Sequence, residues 1–474
     1  MLDRKHFRRD SQPVIKWIDQ YLKEIRKYPV KSQVEPGSIK AQIPVRMPEN
    51  GEDVSSIMKD FEDIILPGIT HWQHPNFHAY FNANNSTESI LAEMLTAALG
   101  AQCMIWETSP AGAELEERML EWFKNAFGLP QNWEGVIQDT ASTATLCALL
   151  TAREVATDWM ANETGVPDNL RVYCSKETHS SIEKGAAIAG IGRKNVIKLA
   201  TDHQHRLDVN ALEQAIKTDL SNGKKPMAVV ATLGSTGIMA VDSLEEIGPI
   251  CKRYNLWLHV DAAYAGSALI LPEYKWMIDG IAQADSFVFN PHKWLFTNFD
   301  CTAYYVKNAR HLIRTFDILP EYLKTSTRGQ VNDYRDWGIQ LGRRFRALKL
   351  WFVLRSYGLK GLREKLRKHI KLSQDFVHWV EKHQHLELMS QPILNYCCFR
   401  YNPAGREYSL DILNALNAEL IKRINNSGQA FLTHTKVDDK LVIRVLIGQT
   451  YVESRDVKIL IQIIDDILDN LSEH

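Results

Sequence analysis

The chain has 474 residues, 45% of them hydrophobic and 24% charged, the composition of a folded globular protein with room for two to four domains at roughly 100–200 residues each. The 56 basic and 57 acidic residues leave a net charge of −1, which gives no pull toward nucleic acid or an anionic membrane surface. Seven cysteines with no CxxC pair argue against a disulfide scaffold and read as free thiols in a reducing compartment.

Apolar residues at helical spacing (Val14, Trp17, Ile18, Tyr21, Leu22, Ile25) predict a first helix, and Ile57, Phe61, Ile64 and Ile65 a second, separated by a linker with Pro36, Gly37, Pro44 and Pro48. The start, MLDRKHFRRD, lacks the apolar run of a signal peptide. No apolar run approaches ~18 residues, so a cytoplasmic protein without a membrane span is expected. From about Ser86 the pattern becomes helices alternating with short apolar strands: GVIQ, RVYCS, MAVVATLG, LWLHVDAAY and DSFVFNPHKW. Strands separated by helices of 10–15 residues predict βαβ units and a mainly parallel sheet. RRFRALKLWFVLRSYG predicts a helix ending near Gly358, and the helical and strand-like pieces beyond it an α+β domain. The predicted organisation is an N-terminal helical segment over 1–84, a large α/β domain over 85–360 and a smaller α+β domain over 361–474.

Chemistry concentrates at predicted strand ends, where open α/β sheets bind ligands. Asp261 closes one apolar strand and Lys293 follows the next. VIQDTASTATLCALL passes from a strand through a turn into a helix, with Thr140 and Ser142 at the start; free N–H groups there favour an anion. No GxxxxGK[ST] occurs, which argues against a nucleotide P-loop. A lysine amine, an acid and an anion cradle match pyridoxal 5′-phosphate (PLP), whose aldehyde, ring nitrogen and phosphate need these three partners. A carboxylate beside a cation moves its pKa by about 1–3 units, or roughly 10- to 1000-fold in rate when expressed in the transition state.

The stretches HWQHPNFHAYF, TSPAGAELE, KETHSSIEKG, ATLGSTG, HVDAAYAGSA, FNPHKW and DYRDWGIQLGRRFRALKLWF resemble the group II PLP-dependent amino-acid decarboxylases, nearest the aromatic-L-amino-acid and histidine decarboxylase branch. The resemblance implies the aspartate-aminotransferase (type I) fold and a homodimer with active sites at the subunit interface. It gives Lys293 the Schiff base and Asp261 the ring nitrogen. It stacks His179 on the ring and assigns the phosphate turn to Thr140, Ala141 and Ser142. Asn290 and His292 stand on the phosphate side, Thr236 and Ala263 line the ring, and Tyr334 is a lid tyrosine returning a proton to Cα. The implied reaction is decarboxylation of an L-amino acid through a quinonoid intermediate to an amine and CO2.

Substrate contacts are expected from Phe81, Asn82, Ala83, Gln102 and Met104. This chain reads AYFNA where aromatic decarboxylases usually read AYFPT, and Gln102 and Met104 replace the apolar and aromatic residues of relatives. An aromatic substrate is expected. Histidine, glutamate, aspartate and 2,4-diaminobutyrate are the alternatives, as is an aldehyde synthase. An aminotransferase, or a catalytically silent binding protein, would be the reading from another class. No metal site is expected: Pro75 interrupts His71, His74 and His78, and His203 and His205 read as loop residues.

Overall fold

A computed structural model of the protein describes residues 4–318, 329–405 and 407–472. Part of the predicted lid, including Tyr322, lies outside the described residues. The chain forms two compact units, one of Ala83–Ile370 with Ser390–Leu394 and one of Met1–Asn82, Lys371–Met389 and Asn395–His474. The three-part expectation is therefore corrected: the N-terminal segment shares a unit with the C-terminal elements.

The larger unit is built on strands β1 (Glu134–Gln138), β2 (Leu170–Ser175), β3 (Val196–Leu199), β4 (Lys225–Thr232), β5 (Trp257–Asp261), β6 (Ser286–Phe289) and β7 (Thr302–Val306), in the order β1-β7-β6-β5-β4-β2-β3. The β6, β5, β4, β2 and β3 neighbours pair parallel, while β7 runs antiparallel to both β1 and β6. β1 thus points the same way as the parallel strands, and their carboxyl ends lie along one edge. The strand interiors are almost wholly apolar and buried, as a sheet covered by helices on both faces requires. Leu149, Ala152, Val172, Cys174, Ile182 and Val230 fill one core cluster; Ala113, Val136, Ala148, Val288, Tyr304 and Leu312 fill another.

β1 is an edge strand, and two buried side chains close it. Ile137 donates its N–H to Glu116 Oε1 at 2.7 Å, and its carbonyl accepts from Arg343 Nη2 at 2.8 Å. Glu116 and Arg343 pair with each other at 2.6 Å. An edge with its backbone groups occupied cannot recruit another strand. The helix Arg346–Lys382 is broken at Gly358, whose φ of +61° falls where the sequence predicts a helix end.

The second unit has an antiparallel sheet of β8 (Leu386–Leu388), β9 (Tyr396–Tyr401), β10 (Thr433–Val437) and β11 (Lys440–Leu446), ordered β10-β11-β9-β8. The helices Leu410–Asn426 and Ser454–Ser472 contribute Leu420, Ile424, Leu460 and Ile464 to its core. The N-terminal segment joins through backbone bonds from Val30 N to Gly428 O (2.7 Å) and from His78 N to Phe431 O (3.0 Å). Arg26 forks onto the buried Asp456 with two contacts of 2.9 Å, the bidentate geometry that gives strong charge-assisted bonds. Among the described residues no helix is long and apolar enough to cross a membrane, and all seven cysteines are buried free thiols.

Candidate active site

The strand ends gather most of the predicted site residues. Thr140 follows β1, His179 follows β2, Thr236 follows β4, Asp261 ends β5, and Asn290, His292 and Lys293 follow β6. The local fold fixes each in turn. Ala262 N bonds to Val288 O at 2.9 Å and Asn290 N to Ala263 O at 3.0 Å, so the segments leaving β5 and β6 stay side by side. Leu233 N bonds to Asp261 O at 2.8 Å and brings in the turn after β4. In that turn Gly234 has φ +83°, and a Cβ there would stand 2.8 Å from Ala265 Cβ, so only glycine fits without strain.

Lys293 lies in the short helix Pro291–Trp294. Its neighbour Trp294 is fully buried, stacks on Tyr264 at 5.3 Å and donates its indole N–H to His369 Nδ1 at 3.0 Å. Burial lowers the Lys293 ammonium pKa, and the Asp261 charge opposes that shift. Asp261 Oδ1 accepts the N–H of Ala263 at 3.0 Å, while its other oxygen accepts nothing from the described residues. His179 Nδ1 accepts the N–H of Ser181 at 3.1 Å, which puts the ring proton on Nε2. Burial lowers its pKa, Asp261 raises it and Lys293 lowers it further. His179, Asp261 and Lys293 are therefore within electrostatic reach of one another.

The anion cradle is the start of the helix Ala141–Ala156, capped by Thr140, whose hydroxyl accepts from Thr143 N at 3.4 Å. The N–H groups of Ala141 and Ser142 have no intrahelical partner. Thr302 on β7 ties this turn to the β6 loop: its hydroxyl lies 3.1 Å from Asp139 O and 2.9 Å from Asn290 Oδ1. His292 Nδ1 accepts from Cys301 N at 3.0 Å, and burial pushes its pKa down to about 3. A desolvated amine, a carboxylate with an open oxygen, an N–H-bearing imidazole and a helix N-terminus form a donor set that fits PLP.

Asn84, a residue the sequence reading passed over, donates its amide to Lys293 O at 2.8 Å, and its N–H bonds to His292 O at 3.0 Å. Its one signal is its place just after the departure at Asn82 and Ala83. Gln102 is exposed, and its Oε1 accepts from Arg343 N at 2.6 Å. Met104 is half-buried, its carbonyl held by Arg335 N at 2.9 Å. Phe81 and Asn82 end the first stretch of the other unit. There Asn82 is fully buried, with neither carboxamide atom hydrogen-bonded.

Tyr334 is not brought to this site. It opens a short helix, Tyr334–Trp337, is 2% exposed and packs against Trp337 at 5.4 Å. It lines a cleft with Glu134 and Gly135 at the amino end of β1, away from the carboxyl edge. The expectation of a mobile-lid tyrosine at 334 is corrected, because the ring is part of the core. His71, His74 and His78 engage separate partners, Tyr21 Oη, Asn76 N and Leu446 O. Among the described residues no group of side chains is placed to hold a metal ion.

Comparison with known proteins gives the family and the fold. The pyridoxal-dependent decarboxylase conserved domain matches residues 36–402. An aromatic-L-amino-acid decarboxylase of Mus musculus is 40% identical, covering 98% of each chain. The crystal structure of Oryza sativa TDC with PLP and tryptamine superposes with a TM-score of 0.95 at 32% identity, covering 98% of each chain. A Rhodiola rosea 4-hydroxyphenylacetaldehyde synthase does so with a TM-score of 0.92 at 34% identity, covering 99% of each. The fold is the type I fold of PLP enzymes, the cofactor is PLP, and this chain belongs to the pyridoxal-dependent decarboxylase family.

Proposed function

We propose that this decarboxylase acts on an aromatic L-amino acid, releasing the aryl amine and CO2, with Lys293 as the cofactor-bearing lysine. The observation that carries this reading is the convergence of Lys293, Asp261 and His179 at the carboxyl ends of the parallel strands β6, β5 and β2 of one sheet. PLP, when bound, supplies an aldehyde that condenses with amines and a ring that accepts the electron pair left by the departing carboxylate. Lys293, desolvated and so disposed to lose its proton, offers the neutral amine that such condensation needs. Asp261 holds a proton on the ring nitrogen. His179 offers its face to the ring and its Nε2–H to the substrate carboxylate. The N–H groups of Ala141 and Ser142, with Thr140, Asn290 and His292, hold the phosphate, and Thr236 and Ala263 flank the ring.

The proton returned to Cα is assigned to Tyr322, the other tyrosine of YLKTSTRGQVNDYRDW, since Tyr334 is packed into the core. A homodimer is part of the proposal. Leu91, Met94, Leu95 and Leu99 leave an exposed apolar face on the helix Thr87–Leu99, and contiguous exposed apolar surface marks an interface. In it Gln102 and Met104 would reach the partner's substrate. A cytoplasmic location accords with the buried free thiols.

A second reading, decarboxylation of a more polar amino acid, is favoured by the sequence, which reads AYFNA with Asn82 and Ala83 where aromatic decarboxylases usually read AYFPT. One experiment decides among these readings: a CO2-release screen of the L-amino acids with PLP, with products identified. Aryl amine is the expected product; aldehyde and peroxide would make the enzyme an aldehyde synthase, and a polar amine would select the second reading. Lys293→Ala should abolish turnover and the absorbance of the lysine-linked cofactor, and retention of both would remove Lys293 from its role.

A further inference from the structure

At the amino end of β1, opposite the edge that carries Lys293, lies a cleft of about 90 Å³. At about 30 Å³ per water molecule, that is room for an ammonium group and a short carbon stem. Its inner wall is aromatic: Trp133, Trp337, Tyr305 and Tyr334 all line it and all are buried. Its rim carries Glu117, Glu121 and Glu134.

Two of these polar groups, the Tyr334 hydroxyl and the Glu134 carboxylate, are not satisfied from within. Tyr305 donates its hydroxyl to Leu120 O at 2.8 Å. The Tyr334 hydroxyl, on a residue 98% buried, has no hydrogen-bond partner among the described residues. Lys124 also lines the cleft, but its ammonium is committed to Gln131 O at 2.9 Å and Trp133 O at 3.1 Å. Glu121 pairs with Arg118 at 3.1 Å, and Glu117 accepts only the amide of Asn332 at 3.3 Å. Glu134 accepts nothing from the described residues. Crowding is visible at Glu117, whose pKa is raised by burial and by Glu121, Glu134 and Glu114.

We propose that this cleft binds a small organic ammonium ion. The carboxylates of Glu117 and Glu134 would accept its N–H groups, the Tyr334 oxygen would accept a further one, and the aromatic wall would pack against its stem and charge. The aromatic wall favours an organic cation over a strongly hydrated metal ion, which takes six or more oxygen ligands. Amines are also the class that decarboxylation releases. That link to the product rests on the reaction proposed above; the binding site does not.

The test is calorimetric titration of ethylammonium chloride into the PLP-loaded enzyme, its Lys293→Ala variant, a Glu117→Gln/Glu134→Gln variant and Tyr334→Phe. The expected result is a saturable heat, one site per chain, that survives Lys293→Ala and equal-strength sodium chloride. It should weaken about tenfold or more in the double Gln variant and a few-fold in Tyr334→Phe, with thermal midpoints confirming folded protein. Should the double variant not fold, Tyr334→Phe decides. No saturable heat, heat lost on Lys293→Ala, heat removed by sodium chloride, or heat unchanged in the folded variants would overturn the site. Turnover and the cofactor's absorbance, measured in parallel, report separately on the decarboxylase reading.

Discussion

The closing of β1 by Glu116 and Arg343 makes a measurable claim about stability. Both side chains are buried, at 1% and 7% exposure. Arg343→Leu leaves a carboxylate buried without its counter-ion, and Glu116→Leu leaves a guanidinium in the same state. Breaking one side of a buried pair costs about 3–5 kcal/mol. Were the two losses independent, the double variant would lose their sum, about 6–10 kcal/mol. The structure forbids that sum, because the double variant buries no unpaired charge. What it does lose is the partner of the Ile137 N–H and that of the Ile137 carbonyl, at about 1–3 kcal/mol each, or about 2–6 kcal/mol together. Taking middle values, the coupling is about 4 kcal/mol. Urea unfolding of the PLP-loaded protein measures it. With a slope of about 3 kcal/mol/M or more for a unit this large, each single variant should lower the midpoint by about 1 M and the double variant by no more than either. If the three losses add within about 0.5 kcal/mol, the sites are independent and the closing of the edge by a coupled pair is wrong.

Three further outcomes are expected. Tyr322→Phe should cut amine formation by about 100-fold or more, the scale of general acid catalysis, whereas Tyr334→Phe should leave the rate within a few-fold; the opposite order in steady-state assays would restore Tyr334 to the lid. Burial depresses His259 to about 4, and His292 and His369 to about 3, below their unfolded value, so the unfolded chain binds more protons as pH falls through 6.5. The stability these groups give is present above that pH and is lost below it, by about 1 kcal/mol each between pH 6.5 and 5.5; a urea midpoint that does not fall over that range would contradict their neutral burial. Gly234→Ala forces a positive φ on a residue with a Cβ, at about 1–2 kcal/mol before any clash, and should weaken PLP binding about tenfold or more in a fluorescence titration, with little change if the turn after β4 carries no part of the site.

Legibility in the sequence followed the range of the interaction. Strand ends are local: an apolar run that stops at Asp261 or just before Asn290 shows both the strand and the edge at which it delivers a side chain. Thr140, Asp261 and Lys293 could therefore be assigned to one edge without any coordinates. The Gly358 break is local too, since a positive φ is a property of one residue. The Glu116–Arg343 pair spans 227 positions, and neither residue carries a periodic signal that points to the other. The joining of the N-terminal segment to β11 and the Leu410–Asn426 region rests on backbone bonds such as Leu446 N to His78 O at 3.1 Å, which side-chain patterns do not encode.

Tyr334 shows how a correct rule gives a wrong assignment. A tyrosine in a polar stretch after a glycine reads as an exposed loop residue, but the helical turn that begins there carries Trp337 three positions on, and the two rings bury each other. Burying a phenol is tolerable when its hydroxyl finds a partner. Here the ring is covered and the hydroxyl is not bonded, so the core supplies the apolar contacts while the residue also lines the carboxylate-rimmed cleft. The same strand therefore carries different chemistry at its two ends. At the carboxyl end of β1 the helix start favours an anion; at its amino end Glu117, Glu121 and Glu134 favour a cation. A single residue cannot serve both ends of a strand that rises about 3.3 Å per residue over five residues, and this separation is the physical case against Tyr334 as the proton donor.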